Sequence, residues 1–218
     1  MFLLPELCLD GQGLPISDTV EYRDLNNGTI ERKQTTVTKI DCLSSTTSIR
    51  THLVKKCIQG QVYRPAPDND CRGAGSAADN WGAQKFQWCA SDNSACNLLS
   101  PNERKADPTL SAAAISCAAD NFLGKKWIMD FPYDLDFINY SLTNIDRILA
   151  NHPDLPRDAG HEIWNNSSNS ADDTLASLFR FNSDNTFEFS QGLKSSYHYV
   201  WCRGEEVPAD STQVAASQ

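Results

Sequence analysis

The sequence predicts a disulfide-stapled α+β domain, with an antiparallel sheet and two helices, preceded by a small β-rich extension. Three observations carry this expectation. Eight cysteines are present and none stands in a C-x-x-C pair, which points to structural disulfides made in an oxidising compartment rather than to zinc knuckles or thioredoxin-like chemistry. Alternating apolar and polar runs broken by Asn and Gly turns occupy both ends of the chain, and two segments between them carry helical patterns. At 218 residues the chain is long enough to bury a core, so the bridges supplement a core and do not replace one.

The elements follow in order. Asn26-Asn27-Gly28-Thr29 is a turn signal ahead of the β-branched run from Thr35 to Ile40, which ends at Cys42, and the polar alternation around Tyr22 and Ile30 fits a half-exposed hairpin. Residues 1–56 are therefore expected to form the β-rich extension. From Pro65 to Pro108 the chain is rich in Pro, Asp, Asn, Gly and Ser, apart from the short stretch Lys85-Phe86-Gln87-Trp88, and a loop of that length needs a function or a tether. Cys71, Cys89 and Cys96 supply the tether.

A first helix is expected from Ser111 to Asn121, where alanine dominates, with a start signal at Pro108-Thr109 and Gly124 beyond its end. A second is expected from Leu135 to Ala150, where Leu135, Ile138, Leu142, Ile145, Ile148 and Leu149 recur at helical spacing. Leu175, Ser177, Phe179 and Phe181 alternate along a strand, Asn182-Ser183-Asp184-Asn185 turns it, and Phe187 and Phe189 mark the return. After Gln191-Gly192 a final strand, Tyr197 to Arg203, is expected to close an antiparallel meander. The small, polar segment 207–218 is expected to be disordered.

Composition excludes several classes of partner. The net charge of -9, from 28 acidic against 19 basic side chains, disfavours nucleic acid and anionic membrane surfaces. No run of eighteen apolar residues is present, so no membrane-spanning helix is expected. The opening MFLLPELCLDG has no basic n-region and only four consecutive apolar residues, so a chain whose export signal has been removed is expected.

Several motifs of the C-terminal half stand in a recognisable order: ISCAADNFLGKKW, a Trp and Pro segment leading into a helix, EIWNNSSNS, an Asn-turned hairpin and finally YHYVWCRGE. This order resembles the Lcl C-terminal-like family, named from the C-terminal domain of a collagen-like bacterial surface adhesin. The upstream CIQGQVYRPAPDNDCRGAGSAADNWGAQKFQWC is similar to the cysteine-rich, exported version of that family. The resemblance covers 57–206. Where the family shows Trp-Arg-Leu/Val-Pro-Thr, this chain has Trp127-Ile128-Met129-Asp130-Phe131-Pro132-Tyr133, and Trp201 stands where the last strand of the family commonly carries arginine.

The resemblance implies a C-type lectin-like architecture, in which a cysteine of the first helix bridges to one of the last strand. Carried over, that pairs Cys117 with Cys202, closing a loop whose constraint on the unfolded chain is worth roughly 4 kcal/mol. Eight cysteines permit about 105 pairings. The remaining six are expected to pair at short range, Cys8 with Cys42, Cys57 with Cys71 and Cys89 with Cys96.

Three candidate sites follow. Asp68, Asp70, Gly73 and Asp79 fall at positions one, three, six and twelve of an EF-hand-like loop, the spacing at which oxygen ligands wrap calcium. Arg72 stands at position five, where a ligand belongs, and a turn-rich disulfide loop is the favoured reading. Asn165, Asn166, Asn169, Asp172 and Asp173 offer oxygens for calcium or sugar hydroxyls, against the ordinary reading of a polar connection before a strand. Tyr197, Tyr199 and Trp201 share one face of the last strand if Cys202 points inward. There they could stack on sugar rings, or be covered by the N-terminal extension, which is the favoured reading.

Enzyme motifs are not found. His161-Glu162 begins an H-E-x-x-H pattern that Asn165 breaks, G-x-S-x-G and G-x-x-x-x-G-K are missing, and an even cysteine count leaves no spare thiolate if all are paired. The expected function is a non-enzymatic recognition or adhesion module, secreted or on the cell-surface or periplasmic side of a bacterial envelope. Its expected ligand is an extracellular glycan or protein, bound with no cofactor beyond an optional calcium. Two alternatives stand beside it: a structural surface or assembly subunit that self-associates, and an exported hydrolase using carboxylates such as Asp134 with Asp136 or Asp172 with Asp173.

Overall fold

The computed structural model describes residues 15–39, 45–98, 104–129, 148–204 and 213–214. The chain is mostly β with a smaller helical part, an α+β arrangement, and divides into two compact units. Unit 1 comprises Met1–Arg23, Glu31–His52 and Glu206–Gln218, and unit 2 comprises Asp24–Ile30 and Leu53–Glu205.

Three long strands, β1 (Pro15–Asp24), β2 (Thr29–Lys39) and β3 (Ser45–Lys55), run through both units. In unit 1, β2 lies between β1 and β3. Arg23 and Glu31 pair at 3.0 Å, and Val20 is buried. The segment expected to be disordered contains a short strand, Gln213–Val214, which pairs with Thr46 and Ser45 of β3.

The turn between β1 and β2 belongs to unit 2. Asn26 and Gly28 take positive φ, and the Asp24 carboxylate accepts the Asn26 N–H at 2.8 Å. A Cβ on Gly28 would come within 2.6 Å of the Phe122 ring, so the close approach as well as the φ of +88° demands glycine. The turn is fastened by Lys56, whose ammonium lies 2.6 Å from Asp24 and whose N–H donates to the Gly28 carbonyl.

Unit 2 is built on two sheets. In the first, β10 (Cys202–Gly204) pairs Arg203 with Val54 of β3 and, on its other side, Cys202 with Met129 of β5 (Trp127–Met129). The second has the order β4-β9-β6-β7-β8, from β4 (Lys85–Gln87), β6 (Ile163–Ser168), β7 (Leu175–Phe181), β8 (Phe187–Leu193) and β9 (Tyr197–Val200). The predicted hairpin is β7–β8, in register from Leu175 opposite Leu193 to Phe181 opposite Phe187.

Two expectations are corrected here. The final strand is not continuous, and it does not close a meander: β9 runs parallel to β6 and breaks at Trp201, after which β10 joins the other sheet. Burial explains the break. Trp201 packs on Phe181 and His152 and donates to the Lys55 carbonyl at 2.7 Å, while Cys202 must reach the helix α1 (Ala112–Ala118), so the backbone is drawn from one sheet to the other.

Helix α1 is capped by Ser111, whose hydroxyl accepts from the Ala114 N–H, and it buries Ala113, Ala114 and Cys117. It ends before the expected Asn121 because the Asp120 carboxylate accepts the Phe122 N–H and holds the Lys55 ammonium. That local bond competes with another helical turn. Of the second expected helix, residues 148–151 are described and helical, with Ile148 and Leu149 buried, and 135–147 lie outside the described residues.

The core between these elements gathers Trp88, Trp127, Trp164, Leu178, Val200 and the Cys117–Cys202 bridge. The indole N–H groups of Trp127 and Trp164 donate to the carbonyls of Phe122 and Phe86, which offsets the cost of burying them. Cys57–Cys71 and Cys89–Cys96 are the other bridges among the described residues, and the expected Cys8–Cys42 pair lies outside them. Among the described residues no helix is long and apolar enough to cross a membrane.

Candidate functional site

The carboxylates of the candidate calcium loop meet partners within the protein. Arg64 grips Asp70 through two N–H donors, at 2.8 and 2.6 Å, and lies 3.6 Å from Asp68. That pairing holds the Asp70 carboxyl below its ordinary range. Asp79 is engaged elsewhere. It accepts the backbone N–H of Ser76 at 2.6 Å and of Gly82 at 3.3 Å, and these donors lower its pKa. Among the described residues no three His, Cys, Asp or Glu side chains gather at metal distance.

The oxygen-rich segment divides in two. Asn165 is buried, and the side-chain oxygen of the half-buried Asn166 accepts the Ala106 N–H at 2.9 Å. Asn169, Asp172 and Asp173 come together at the β6–β7 connection. Asn169 donates to the Gln191 amide oxygen at 2.6 Å, Asp173 pairs with Arg104 at 3.0 Å, and Arg104 also donates to the Asn169 carbonyl. Asp172 is held by Thr174, whose hydroxyl and N–H both donate to it and lower its pKa.

The aromatic stripe is likewise mostly internal. Trp201 is 0 % exposed and Tyr199 is 5 % exposed, stacked on His161 with its hydroxyl accepting from Asn80, so neither can stack on a ligand. The cover over Trp201 comes from Phe181 and His152 of the same unit. Tyr197 alone of the three stands out, at 61 %.

Tyr197 and Leu193, itself 50 % exposed, flank the turn 194–196 between β8 and β9. Leu193 opposes Leu175, whose carbonyl accepts the Asn169 N–H, so the aliphatic side chain lies beside the Asn169–Gln191 amide pair and the Arg104–Asp173 ion pair. Sequence reasoning missed Arg104, Gln191 and Leu193, since each enters the surface through a partner distant in the chain.

The turn beneath this surface is clamped. Lys194 is fully buried, and its ammonium donates to the Asn93 carbonyl and the Asn97 amide oxygen, both at 3.0 Å. Burial pulls its pKa below the ordinary lysine range. Asp92 accepts from the Ser195 N–H and hydroxyl at 2.8 and 2.9 Å, and the Cys89 N–H donates to the Lys194 carbonyl. The segment 89–97 therefore grips the turn through five hydrogen bonds. The chain matches no protein-family model, no curated protein and no solved structure.

Proposed function

We propose that this chain is an exported recognition module of a bacterial surface, which binds a carbohydrate or glycoprotein through the face flanking the 194–196 turn. The observation that carries this reading is the exposed pair Tyr197 and Leu193 on a turn held rigid by the buried Lys194. A rigid display lowers the ordering cost of binding, and an aromatic ring beside fixed amides suits a sugar ring and its hydroxyls. The acidic chain favours neutral ligands over polyanions.

The resemblance to the Lcl C-terminal-like family and to C-type lectin-like architecture belongs to the same reading. What supports it is the bond from Cys117 of α1 to Cys202 of β10. The disulfides accord with an extracellular site of action.

An array of neutral glycans, with heparin as a control, tests the proposal. Expected are hits among neutral glycans, with affinity falling about tenfold or more in Tyr197→Ala and to a smaller extent in Gln191→Ala. Equal binding by wild type and both variants would remove this face from the reading. Concentration-dependent self-association without glycan binding would favour an assembly subunit.

A further inference from the structure

Next to the proposed binding face, a second group of side chains has a different chemistry. Ser196 closes the 194–196 turn, His198 follows two residues later on β9, and Glu162 stands immediately before β6. The Ser196 hydroxyl donates to the Leu193 carbonyl at 2.5 Å, its oxygen lies 2.9 Å from Nε2 of His198, and Nδ1 of the same ring lies 3.7 Å from Oε2 of Glu162. The parallel pairing of β6 with β9 places them so: Ile163 is opposite Tyr199, and the Tyr199 N–H donates to the Glu162 carbonyl at 3.1 Å.

The surroundings fix each group. Oε1 of Glu162 accepts from the Gly160 N–H at 3.2 Å and from Arg180 at 3.4 Å, and Arg180 is itself paired with Glu188. The edge of the Trp164 ring system meets the imidazole 4.7 Å away at 79°. Gly192 packs closely beside the pair: a Cβ there would lie 2.7 Å from Cδ1 of Leu178, 3.2 Å from Nε2 of His198 and 3.5 Å from the Ser196 hydroxyl. The His198 and Glu162 side chains retain 16 % and 18 % exposure, sheltered from bulk water yet reachable from it.

We propose that Ser196, His198 and Glu162 form a nucleophile, base and orienting carboxylate that hydrolyse small carboxylic esters, an activity that does not depend on the glycan-binding reading. Glu162 favours the tautomer with the proton on Nδ1, leaving the Nε2 lone pair facing the serine. The Ser196 hydroxyl turns its one proton from the Leu193 carbonyl to Nε2, which takes it as the hydroxyl oxygen attacks the ester carbonyl. Nε2 returns that proton to the departing alcohol oxygen, leaving an acyl-serine. Water then attacks the acyl carbon, gives one proton to Nε2, and the carboxylic acid departs as Ser196 regains its proton. Burial lowers the His198 pKa against the opposing charge of Glu162, with Lys85 adding to the lowering, so the imidazole is neutral and able to act as base at neutral pH.

The test uses the full, oxidised chain with p-nitrophenyl acetate and, separately, diisopropyl fluorophosphate. Expected are a single phosphoryl adduct mapped by mass spectrometry to Ser196, and ester hydrolysis that falls about 100-fold or more in Ser196→Ala and about tenfold or more in Glu162→Gln. Activity in the wild type should rise with pH to a plateau below the ordinary histidine pKa, and this midpoint should move in Glu162→Gln. An unmodified Ser196, or hydrolysis unchanged in a Ser196→Ala protein with wild-type near-ultraviolet circular dichroism, would overturn the proposal and leave a structural polar cluster. The adduct is read on the wild type, so the test does not depend on any variant folding.

Discussion

Replacing Cys117 and Cys202 together by alanine is expected to lower the unfolding free energy by about 4 kcal/mol, the largest loss among the described bridges. The ranking follows from chain length. This bridge joins positions 85 apart, against 14 for Cys57–Cys71 and 7 for Cys89–Cys96, and the entropy of closing such loops gives about 3 and about 2 kcal/mol for the shorter ones. Packing acts in the same direction, because Cys117 and Cys202 are both in the core of unit 2 and each truncation removes buried sulfur. With total stabilities of about 5–15 kcal/mol, the loss is a large share of what holds a domain folded. Guanidinium denaturation of the three double variants checks it. A loss below about 1 kcal/mol for Cys117 and Cys202, or a larger one for Cys89 and Cys96, would mean that loop closure does not set the order.

Helix α1 was legible because its main signal is local: alanine in the interior acts within a few residues, although the cap falls on Ser111 and not at Pro108-Thr109. The β7–β8 hairpin was legible for the same reason, as Phe179 and Phe181 alternate along one strand and the Asn182 to Asn185 turn supplies its own hydrogen bonds. The break at Trp201 was not. Nothing in YHYVWCR marks where one sheet ends, since the cause is a fully buried indole whose partners, Lys55, His152 and Phe181, come from distant segments.

Site residues divide along the same line. The spacing of Asp68, Asp70 and Asp79 resembles a calcium loop, but spacing does not reveal that Arg64 folds back onto Asp70. Strand alternation groups Tyr197, Tyr199 and Trp201 on one face, but it does not reveal that Tyr199 and Trp201 are buried while Tyr197 is exposed. Ser196 and His198 stand two apart in sequence, a spacing that matches no hydrolase motif, and Glu162 reaches His198 only through parallel pairing of β6 and β9.

Acid is expected to destabilise the protein well above the pH at which its carboxylates protonate, and His152 is the reason. Its side chain is buried, Nδ1 donates to the Lys56 carbonyl at 3.2 Å, and the ring meets Trp201 edge-on at 4.7 Å. Burial, aided by the charge of Lys56, lowers its pKa from 6.5 to about 3. Between those two values the unfolded chain binds a proton that the folded protein excludes. Stability therefore falls as pH drops from about 6.5 towards 3, by about 1.4 kcal/mol for each pH unit.

Asp24 and Asp120 act in a lower window. Their pKa values are lowered, despite the opposing effect of burial, by the bonds from Lys56 and Lys55. The stability they contribute is present above the ordinary aspartate value of 3.8 and is lost only as pH falls through their folded values. The interval from pH 6 to 4.5 accordingly isolates histidine. His198, also lowered by burial, contributes with the same sign, so the comparison is made against His152→Gln, which keeps an amide donor for the Lys56 carbonyl and cannot titrate. Relative to this variant, the wild type should lose about 3 kcal/mol between pH 7 and pH 4.5, measured by denaturant titration at each pH. Parallel curves for the two proteins across that interval would show that the imidazole takes up its proton without leaving its buried site.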